Sequence, residues 1–138
     1  MTGKILVGQP TNQNDNTRVL IKTNYGNIAV KLYNKTIQHK ENFLKLVNQN
    51  FYDSLLFHRV IKNFMIQAGD PDSKNASSET QLGGGSPGYT VKAEFYPEYY
   101  HKRGALAAAR QNDRVNPEKR SSSSQFYIVQ GEVLSPGK

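Results

Sequence analysis

The chain has no cysteine among its 138 residues, and it has no long uninterrupted apolar run. Without cysteine there is no disulfide framework, no thiolate nucleophile and no cysteine-ligated zinc or iron–sulfur site. A membrane-spanning helix needs roughly 18 apolar residues in a row, so we exclude a membrane span. At 15.5 kDa the chain has the size of one domain that can bury a hydrophobic core.

The N-terminal residues lack the pattern of an export signal. The only apolar run near Met1 is Ile5–Val7, which is shorter than the apolar segment of about 7–15 residues in a secretory signal. As written, the chain is expected in the cytoplasm, and a periplasmic or exported location is expected only if a leader was removed. The polar residues 8–17 predict a flexible lead-in over residues 1–17, followed by one domain at residues 18–138.

The formal net charge of +7 comes from 18 Lys and Arg residues against 11 Asp and Glu residues. A basic chain can bind nucleic acid. Here the basic residues are scattered, with small clusters at Lys102-Arg103 and Lys119-Arg120, and no nucleic-acid motif accompanies them. We therefore expect no nucleic-acid partner. Nucleic-acid binding whose affinity falls steeply with salt concentration would contradict this expectation.

Hydrophobic periodicity predicts a β-hairpin followed by a helix. Val19 and Ile21, then Ile28 and Val30, alternate with other residues on both sides of a short connection containing Gly26. From Thr36, a suitable N-cap, apolar residues recur at helical spacing and predict one amphipathic helix over about residues 37–49.

The rest of the chain alternates between strand-like segments and polar loops. Residues 51–69 are strand-like with a break at residues 62–63, and residues 70–88 form a long loop that is either functional or disordered. The small apolar segment 104–109 suits a buried strand or a helical turn. Residues 111–124 read as a polar loop whose four final serines form a solvated linker, and residues 125–129 predict a strand. Short strands with one helix favour a mainly β barrel or sandwich.

Several kinds of site can be dismissed from spacing. His39, His58 and His101 are far apart and lack metal-ligand spacing, so we expect no metal. The glycines at 83–85 lack the Gly-Lys-Ser/Thr ending of a phosphate-binding loop. The four serines lack the sequence context of a nucleophile. We expect no cofactor.

Arg59 is unusual because it lies within a strand-like apolar segment. Burying a guanidinium group is costly unless a partner satisfies it. One interpretation pairs Arg59 with a carboxylate such as Asp70 or Glu94, which would only stiffen the sheet. The other places Arg59 and Gln67 at the rim of an apolar pocket, where a few polar groups orient a ligand.

Four ordered motifs resemble the cyclophilin family of peptidyl-prolyl cis–trans isomerases, of bacterial type. Residues 51–70 (FYDSLLFHRVIKNFMIQAGD) resemble its signature, residues 124–128 (SQFYI) its second hallmark, residues 104–110 (GALAAAR) the segment between them, and residues 41–44 (ENFL) its helix motif. The resemblance runs from about residue 18 to residue 131. It implies an antiparallel β-barrel of eight strands capped by two helices, of which about six strands and one helix are expected here. The family's last two strands and second helix are expected to be missing. We expect the chain to be a fragment of a longer product; the alternative is that another piece supplies the missing part.

The resemblance also implies the site residues. Arg59 matches the catalytic arginine, Phe64 and Met65 match walls of the proline pocket, and Gln67 matches a group that binds the substrate backbone. Further groove positions are His58, Ala109, Arg110, Gln125, Phe126 and Tyr127. Tyr127 stands where many relatives have Phe, so its hydroxyl needs solvent or a partner. Arg110 stands where the best-known eukaryotic members have Asn, which makes the groove more basic.

The implied function is rotation about X–Pro bonds to assist folding. The expected partners are proline-containing peptides and unfolded or folding proteins, with cyclosporin-like cyclic peptides as a further ligand class that the resemblance implies. A monomer is expected. The alternative is a non-catalytic peptide-binding or chaperone module that uses the same groove.

Overall fold

The computed structural model of the chain describes the backbone of Thr2–Val7 and all atoms of residues 17–133 and 135–136. Within these residues the protein has one α-helix, one short 3-10 helix and nine strands. The elements are β1 (Thr2–Val7), β2 (Arg18–Thr23), β3 (Gly26–Lys31), α1 (Ile37–Asn48), β4 (Leu55–Ile61), β5 (Met65–Ala68), the 3-10 helix (Pro71–Ser73), β6 (Thr90–Val91), β7 (Leu106–Ala108), β8 (Ser121–Ser122) and β9 (Phe126–Val129). The predicted mainly β fold with one helix is confirmed. The structure has three strands more than the expected six: β1 and the two-residue strands β6 and β8. They were not predicted because they have no clear sequence pattern.

Seven strands form one antiparallel sheet in the order β3-β2-β1-β4-β5-β9-β7, and β6 pairs with β8 separately. β1 joins the hairpin to the rest of this sheet, since it pairs with both β2 and β4. Residues 2–7 are thus a strand, whereas the sequence predicts them within a flexible lead-in. Their short apolar run is too brief to indicate a strand by itself. Residues 8–16 of that lead-in lie outside the described residues.

The predicted hairpin is confirmed as β2 and β3. Val19 lies opposite Val30 and Ile21 opposite Ile28, with residues 24–25 as the turn. Directly opposed residues of antiparallel strands project from the same face. Val19, Ile21 and Val30 are accordingly buried in the core.

Helix α1 begins after Thr36, as predicted, but the Thr36 side chain makes no capping hydrogen bond. Instead the Glu94 carboxylate accepts the backbone N–H groups of Gln38 at 3.1 Å and His39 at 2.8 Å. An anionic group is stabilising at this positive end of the helix dipole. The His39 ring also contacts Glu94 Oε1 through Nδ1 at 2.6 Å and Ser121 Oγ through Nε2 at 3.1 Å. Burial tends to raise the pKa of Glu94, but the hydrogen bonds from His39 and Gln38 outweigh it, so the pKa is lowered.

One hydrophobic core lies between α1 and the inner face of the sheet. Phe126 is at its centre, with ring centroids 5.7 Å from Phe43, 5.6 Å from Tyr52 and 6.2 Å from Phe57. Edge-to-face ring pairs of this kind add to the stabilisation from burial. The other buried members of the core are Val19, Ile21, Val30, Leu32, Leu46, Val47, Leu55 and Ala68.

The long loop after β5 is organised by Asp70, which is fully buried. Its carboxylate accepts the backbone N–H groups of Gly83, Gly85 and Asp72. These charge-assisted hydrogen bonds satisfy the buried carboxylate and fix two distant parts of the loop against each other. Residues 70–88, predicted as either functional or disordered, are therefore held next to the sheet.

The serines before β9 are not the solvated linker that the sequence predicts. Ser121, Ser123 and Ser124 are all buried. Ser124 Oγ donates to the carbonyl of Gly69 at 2.7 Å, and the Ser124 carbonyl accepts the Tyr52 hydroxyl at 3.0 Å. Composition misleads here because serine hydroxyls can be satisfied by buried backbone groups as well as by water.

This close approach predicts a large effect of substituting Gly69. Gly69 has φ +98°, and a Cβ there would lie 2.1 Å from the Ser124 carbonyl oxygen. Gly69→Ala should lower the free energy of unfolding by about 2–4 kcal/mol, through backbone strain and overpacking. Gly84→Ala is the matched control, since a Cβ at Gly84 meets nothing within 4 Å. Urea unfolding of both variants measures the difference, and equal stabilities would contradict this packing.

Candidate active site

Four strands bring distant parts of the sequence into one row on the sheet face opposite the core. Arg59 of β4 lies opposite Gln67 of β5, Gln67 lies opposite Tyr127 of β9, and Tyr127 lies opposite Ala107 of β7. Directly opposed residues project from the same face, so these four side chains stand side by side. We call Arg59, Gln67, Tyr127 and Ala107 the groove row.

A β-bulge at His58 decides the direction of Arg59. Phe57 lies opposite Ala68, and the next pair is Arg59 opposite Gln67, so β4 uses one more residue than β5 between the two pairs. Without the bulge, Phe57 and Arg59 would project from the same face, as residues i and i+2 of a strand do. With it, Phe57 stays in the core and Arg59 turns to the groove.

A chain of hydrogen bonds leads from Arg59 into the protein. Arg59 Nη1 donates to Gln67 Oε1 at 3.4 Å, and Gln67 Nε2 donates to Gln125 Oε1 at 2.9 Å. Gln125 Nε2 then donates to the carbonyls of Gly83 at 3.0 Å and Gly85 at 2.9 Å. Gln67 and Gln125 are buried while Arg59 is exposed. The two amides therefore have fixed orientations, and the guanidinium keeps donors free for a ligand.

The interpretation that Arg59 belongs to an interior ion pair does not hold. Arg59 takes part in none of the salt bridges of the described residues. Asp70 is occupied by backbone N–H groups of its own loop, and Glu94 caps α1. The second interpretation, a polar rim on a pocket, agrees with these contacts.

Phe64 and Met65 lie beside the groove row at the turn between β4 and β5. Met65 is buried opposite Val129, two residues from Gln67 and on the same face. Phe64 is half exposed, with a relative exposure of 50%. Its carbonyl accepts the N–H of Gln130 at 2.8 Å, which holds the turn in place. Phe64 thus presents an exposed apolar ring at the turn, and Met65 lies buried on the same face as Gln67.

Tyr127 has the partner that its hydroxyl requires. The hydroxyl lies 3.2 Å from Nδ1 of His101, and the two rings meet edge to face with centroids 5.5 Å apart. Burial raises the pKa of Tyr127, so the hydroxyl stays neutral. The sequence predicts the need for such a partner but gives no signal that it is His101.

Two further groove positions adjoin the row through the backbone. The Ala109 N–H donates to the Gln125 carbonyl at 2.9 Å, two residues beyond Ala107. Arg110 is exposed, with its guanidinium 5.4 Å from the centre of the Phe95 ring and 3.4 Å from the Asp113 carboxylate. Ala109, Arg110 and Gln125 therefore lie at the β7–β9 side of the groove.

Two residues that the sequence predicts in the groove, Phe126 and His58, do not line the groove. Phe126 belongs to the core, because it alternates with Tyr127 along β9 and so projects from the opposite face. His58 is the extra residue of the bulge, and its two ring nitrogens are buried without hydrogen-bond partners. Burial lowers the pKa of His58, although the negative charge of Asp70 opposes the shift.

The sequence misses the residues that support the groove from behind. Asp70 appears there only as a candidate partner of Arg59, whereas it holds the loop that carries Gly83 and Gly85. Those two glycines contribute carbonyl oxygens to Gln125, a role for which residue type gives no signal. No cluster of three metal-ligating side chains occurs in the described part of the chain.

The chain matches known proteins over most of its length. Residues 18–134 match the family described as cyclophilin type peptidyl-prolyl cis-trans isomerase/CLD. A peptidyl-prolyl cis-trans isomerase of Acinetobacter baylyi is 41% identical over 114 residues, covering 82% of this chain and 54% of that protein. A crystal structure of a Cryptosporidium parvum cyclophilin type peptidyl-prolyl cis-trans isomerase has a TM-score of 0.71 and 31% identity, covering 86% of this chain and 69% of that one. A second crystal structure of that protein, in the presence of the dipeptide Ala-Pro, has a TM-score of 0.69.

Fold and sequence agree, and the chain belongs to the cyclophilin-type peptidyl-prolyl cis-trans isomerase family. It spans about half the length of the Acinetobacter relative. Over the part of the chain that the structure describes, no helix has the length and apolar character needed to cross a membrane.

The buried ring of His58 predicts a pH-dependent stability. Its pKa is lowered in the folded state by burial, whereas the unfolded chain takes up a proton near the ordinary value of about 6.5. Acidification therefore favours unfolding: this contribution to stability is present above pH 6.5, and it is lost as the pH falls from that value through the lowered pKa of the folded state. Urea unfolding at pH 7.5 and pH 5.5 should show a smaller decrease for His58→Gln than for the unchanged protein. The same decrease in both would remove His58 as the cause.

Proposed function

We propose that this chain contributes the catalytic groove of a peptidyl-prolyl cis–trans isomerase. The observation that carries the proposal is the groove row, in which the exposed Arg59 guanidinium lies opposite Gln67 and the Gln67 amide is oriented by Gln125. The proposed substrates are proline-containing segments of peptides and of folding proteins. The family to which the chain belongs and its likeness to a cyclophilin crystallised with Ala-Pro support the same function.

The reaction requires rotation, without acid, base or cofactor. Resonance gives the peptide C–N bond partial double-bond character, so rotation meets a barrier of roughly 18–20 kcal/mol. At the twisted transition state conjugation is lost, and the prolyl nitrogen gains a lone pair that can accept a hydrogen bond. A donor that binds this state better than the planar one lowers the barrier.

Arg59 suits the role of that donor. Its guanidinium stays charged and offers several N–H groups in a rigid fork. One of these is held by Gln67, which leaves the others for the substrate. Because Gln67 is itself fixed by Gln125, the guanidinium is oriented before substrate binds, as electrostatic stabilisation of a transition state requires.

The apolar surface of Phe64 and Met65 would hold the proline ring while the flanking peptide lies along the row. Met65 is fixed in the sheet, and Phe64 projects from a turn with its ring half exposed. Gln67 and backbone groups near Ala109 would bind the peptide backbone on one side of the X–Pro bond. One side is then held while the other rotates.

Replacing Arg59 tests the catalytic proposal. Arg59→Ala should lower kcat/KM for a proline peptide by about 10²–10³-fold, the range seen when one donor to a transition state is removed. Because Arg59 is exposed and lies outside the core, the circular dichroism spectrum should not change. Arg18→Ala, an exposed arginine on β2, is the matched control and should keep full activity. Near-normal turnover by Arg59→Ala would remove Arg59 from the mechanism, and a groove that binds peptides without isomerising them would favour the non-catalytic alternative.

Replacing Phe64 tests the proline pocket. Phe64→Ala should weaken proline-peptide binding by about tenfold, since it removes part of the apolar surface that the ring contacts. Stability should change little, because Phe64 is half exposed and its turn is held by backbone hydrogen bonds. Calorimetric titration with an Ala-Pro peptide measures the loss. An unchanged affinity would place the proline ring elsewhere.

A further inference from the structure

Asp70 is a buried charge that the proposed reaction does not use. It is fully buried and takes part in none of the salt bridges of the described residues. The backbone N–H groups of Asp72, Gly83 and Gly85 satisfy its carboxylate instead. A carboxylate holds N–H groups more strongly than a neutral acceptor does, which offsets part of the cost of removing the charge from water.

Gly83 and Gly85, which we call the loop glycines, are held from both sides. Their N–H groups bind the Asp70 carboxylate, and their carbonyl oxygens accept hydrogen bonds from Gln125 Nε2 at 3.0 and 2.9 Å. A Cβ at Gly85 would lie 1.9 Å from Asp70 Oδ1, so the backbone passes the carboxylate too closely for a side chain. Asp70 therefore fixes the place where the two carbonyl oxygens face Gln125.

These two carbonyl oxygens decide which way the Gln125 amide points. A primary amide has two donor hydrogens on its nitrogen, so the nitrogen and not the oxygen must face a pair of carbonyls. The Gln125 oxygen is thereby directed to Gln67, whose Nε2 donates to it at 2.9 Å. Gln67 then presents its own oxygen to Arg59, and this Oε1 accepts from Nη1 at 3.4 Å. The reversed arrangement would set N–H donors of Gln67 against a guanidinium, which has no acceptor.

We propose that Asp70 is a positioning residue for the isomerisation: by holding the loop glycines, it keeps Gln67 an acceptor toward Arg59. The inference rests on the proposed function, since Arg59 is the donor to the twisted peptide bond there. A donor that is oriented before the reaction stabilises the transition state without reorganisation. Asp70 thus acts on the rate from inside the protein, without touching the substrate.

Neighbouring glycines of the loop give a matched pair of variants of the complete chain. Gly85→Ala puts a methyl group against the Asp70 carboxylate, whereas the methyl group of Gly84→Ala meets nothing within 4 Å. Gly85→Ala should lower kcat/KM for an Ala-Pro peptide by about tenfold, less than the loss of the donor itself, because the guanidinium is misplaced but present. Gly84→Ala should keep full activity. Asp70→Asn, which keeps the shape of the side chain, should act like Gly85→Ala and carries the test if that variant does not fold.

A double substitution separates positioning from a general loss of stability. If Asp70 acts through the guanidinium, Gly85→Ala should cause no further loss of activity in a protein that already carries Arg59→Ala. Substitutions in one hydrogen-bond network are not additive, whereas independent effects add. Loss of activity by the same factor with and without Arg59 would overturn the inference.

NMR of the side-chain amides tests the orientation without substrate. In the unchanged protein the Nε2 protons of Gln125 should exchange slowly with water, and Gly85→Ala and Asp70→Asn should each speed this exchange. Amide signals that stay unchanged in both variants would overturn the role of Asp70, whatever the activity. Normal turnover by both variants would also overturn it and leave the isomerase proposal intact. Faster exchange in the variants, with no turnover by the unchanged protein, would support the orientation by Asp70 and contradict the isomerase.

Discussion

The groove depends on one irregularity in the sheet, the bulge at His58. It allows Phe57 to stay in the core while Arg59, two residues later, faces the groove. In a regular strand those two side chains would share a face, and the guanidinium would be directed into the aromatic core. Burying an unpaired charge there would cost far more than the sheet could offset. The bulge thus reconciles a stable core with an accessible cation.

The bulge alone does not orient Arg59, because a long side chain on a surface retains rotamer freedom. The orientation comes from buried amides: Gln67 contacts the guanidinium, and Gln125 fixes Gln67. Gln125 is held in turn by the carbonyls of Gly83 and Gly85, whose N–H groups bind Asp70. A loop distant in sequence thereby supports the face of the sheet that carries Arg59. Networks of this kind are effective only when each member is satisfied.

Much of the fold follows from local patterns in the sequence. The β2–β3 hairpin and helix α1 are predicted from hydrophobic periodicity, and strands β4, β5 and β9 are predicted from their strand-like composition. The predictions from sequence fail where a contact between distant parts of the chain determines the local structure. The Glu94 carboxylate caps α1 from a distant segment in place of Thr36, and Ser124 is buried because its hydroxyl meets the Gly69 carbonyl.

The site was predictable in its residue types and less so in its geometry. Family motifs identify Arg59 and Gln67, but they also suggest Phe126, which the alternation of β9 sends into the core. The partner of Tyr127 is His101, which comes from a segment without regular structure and so has no periodic signal. Register and bulges are set by the whole sheet, and a single sequence does not reveal them.

Exchange NMR on a labelled Ala-Pro peptide tests the central claim most directly, since it observes rotation and contact in one sample. With a catalytic amount of the protein, cis and trans signals should exchange on a subsecond time scale, against tens to hundreds of seconds without catalysis. The amide signals of the protein that shift on peptide binding should centre on Gln67, Ala109 and Tyr127. Exchange at the uncatalysed rate, or shifts confined to residues away from the groove row, would contradict the account.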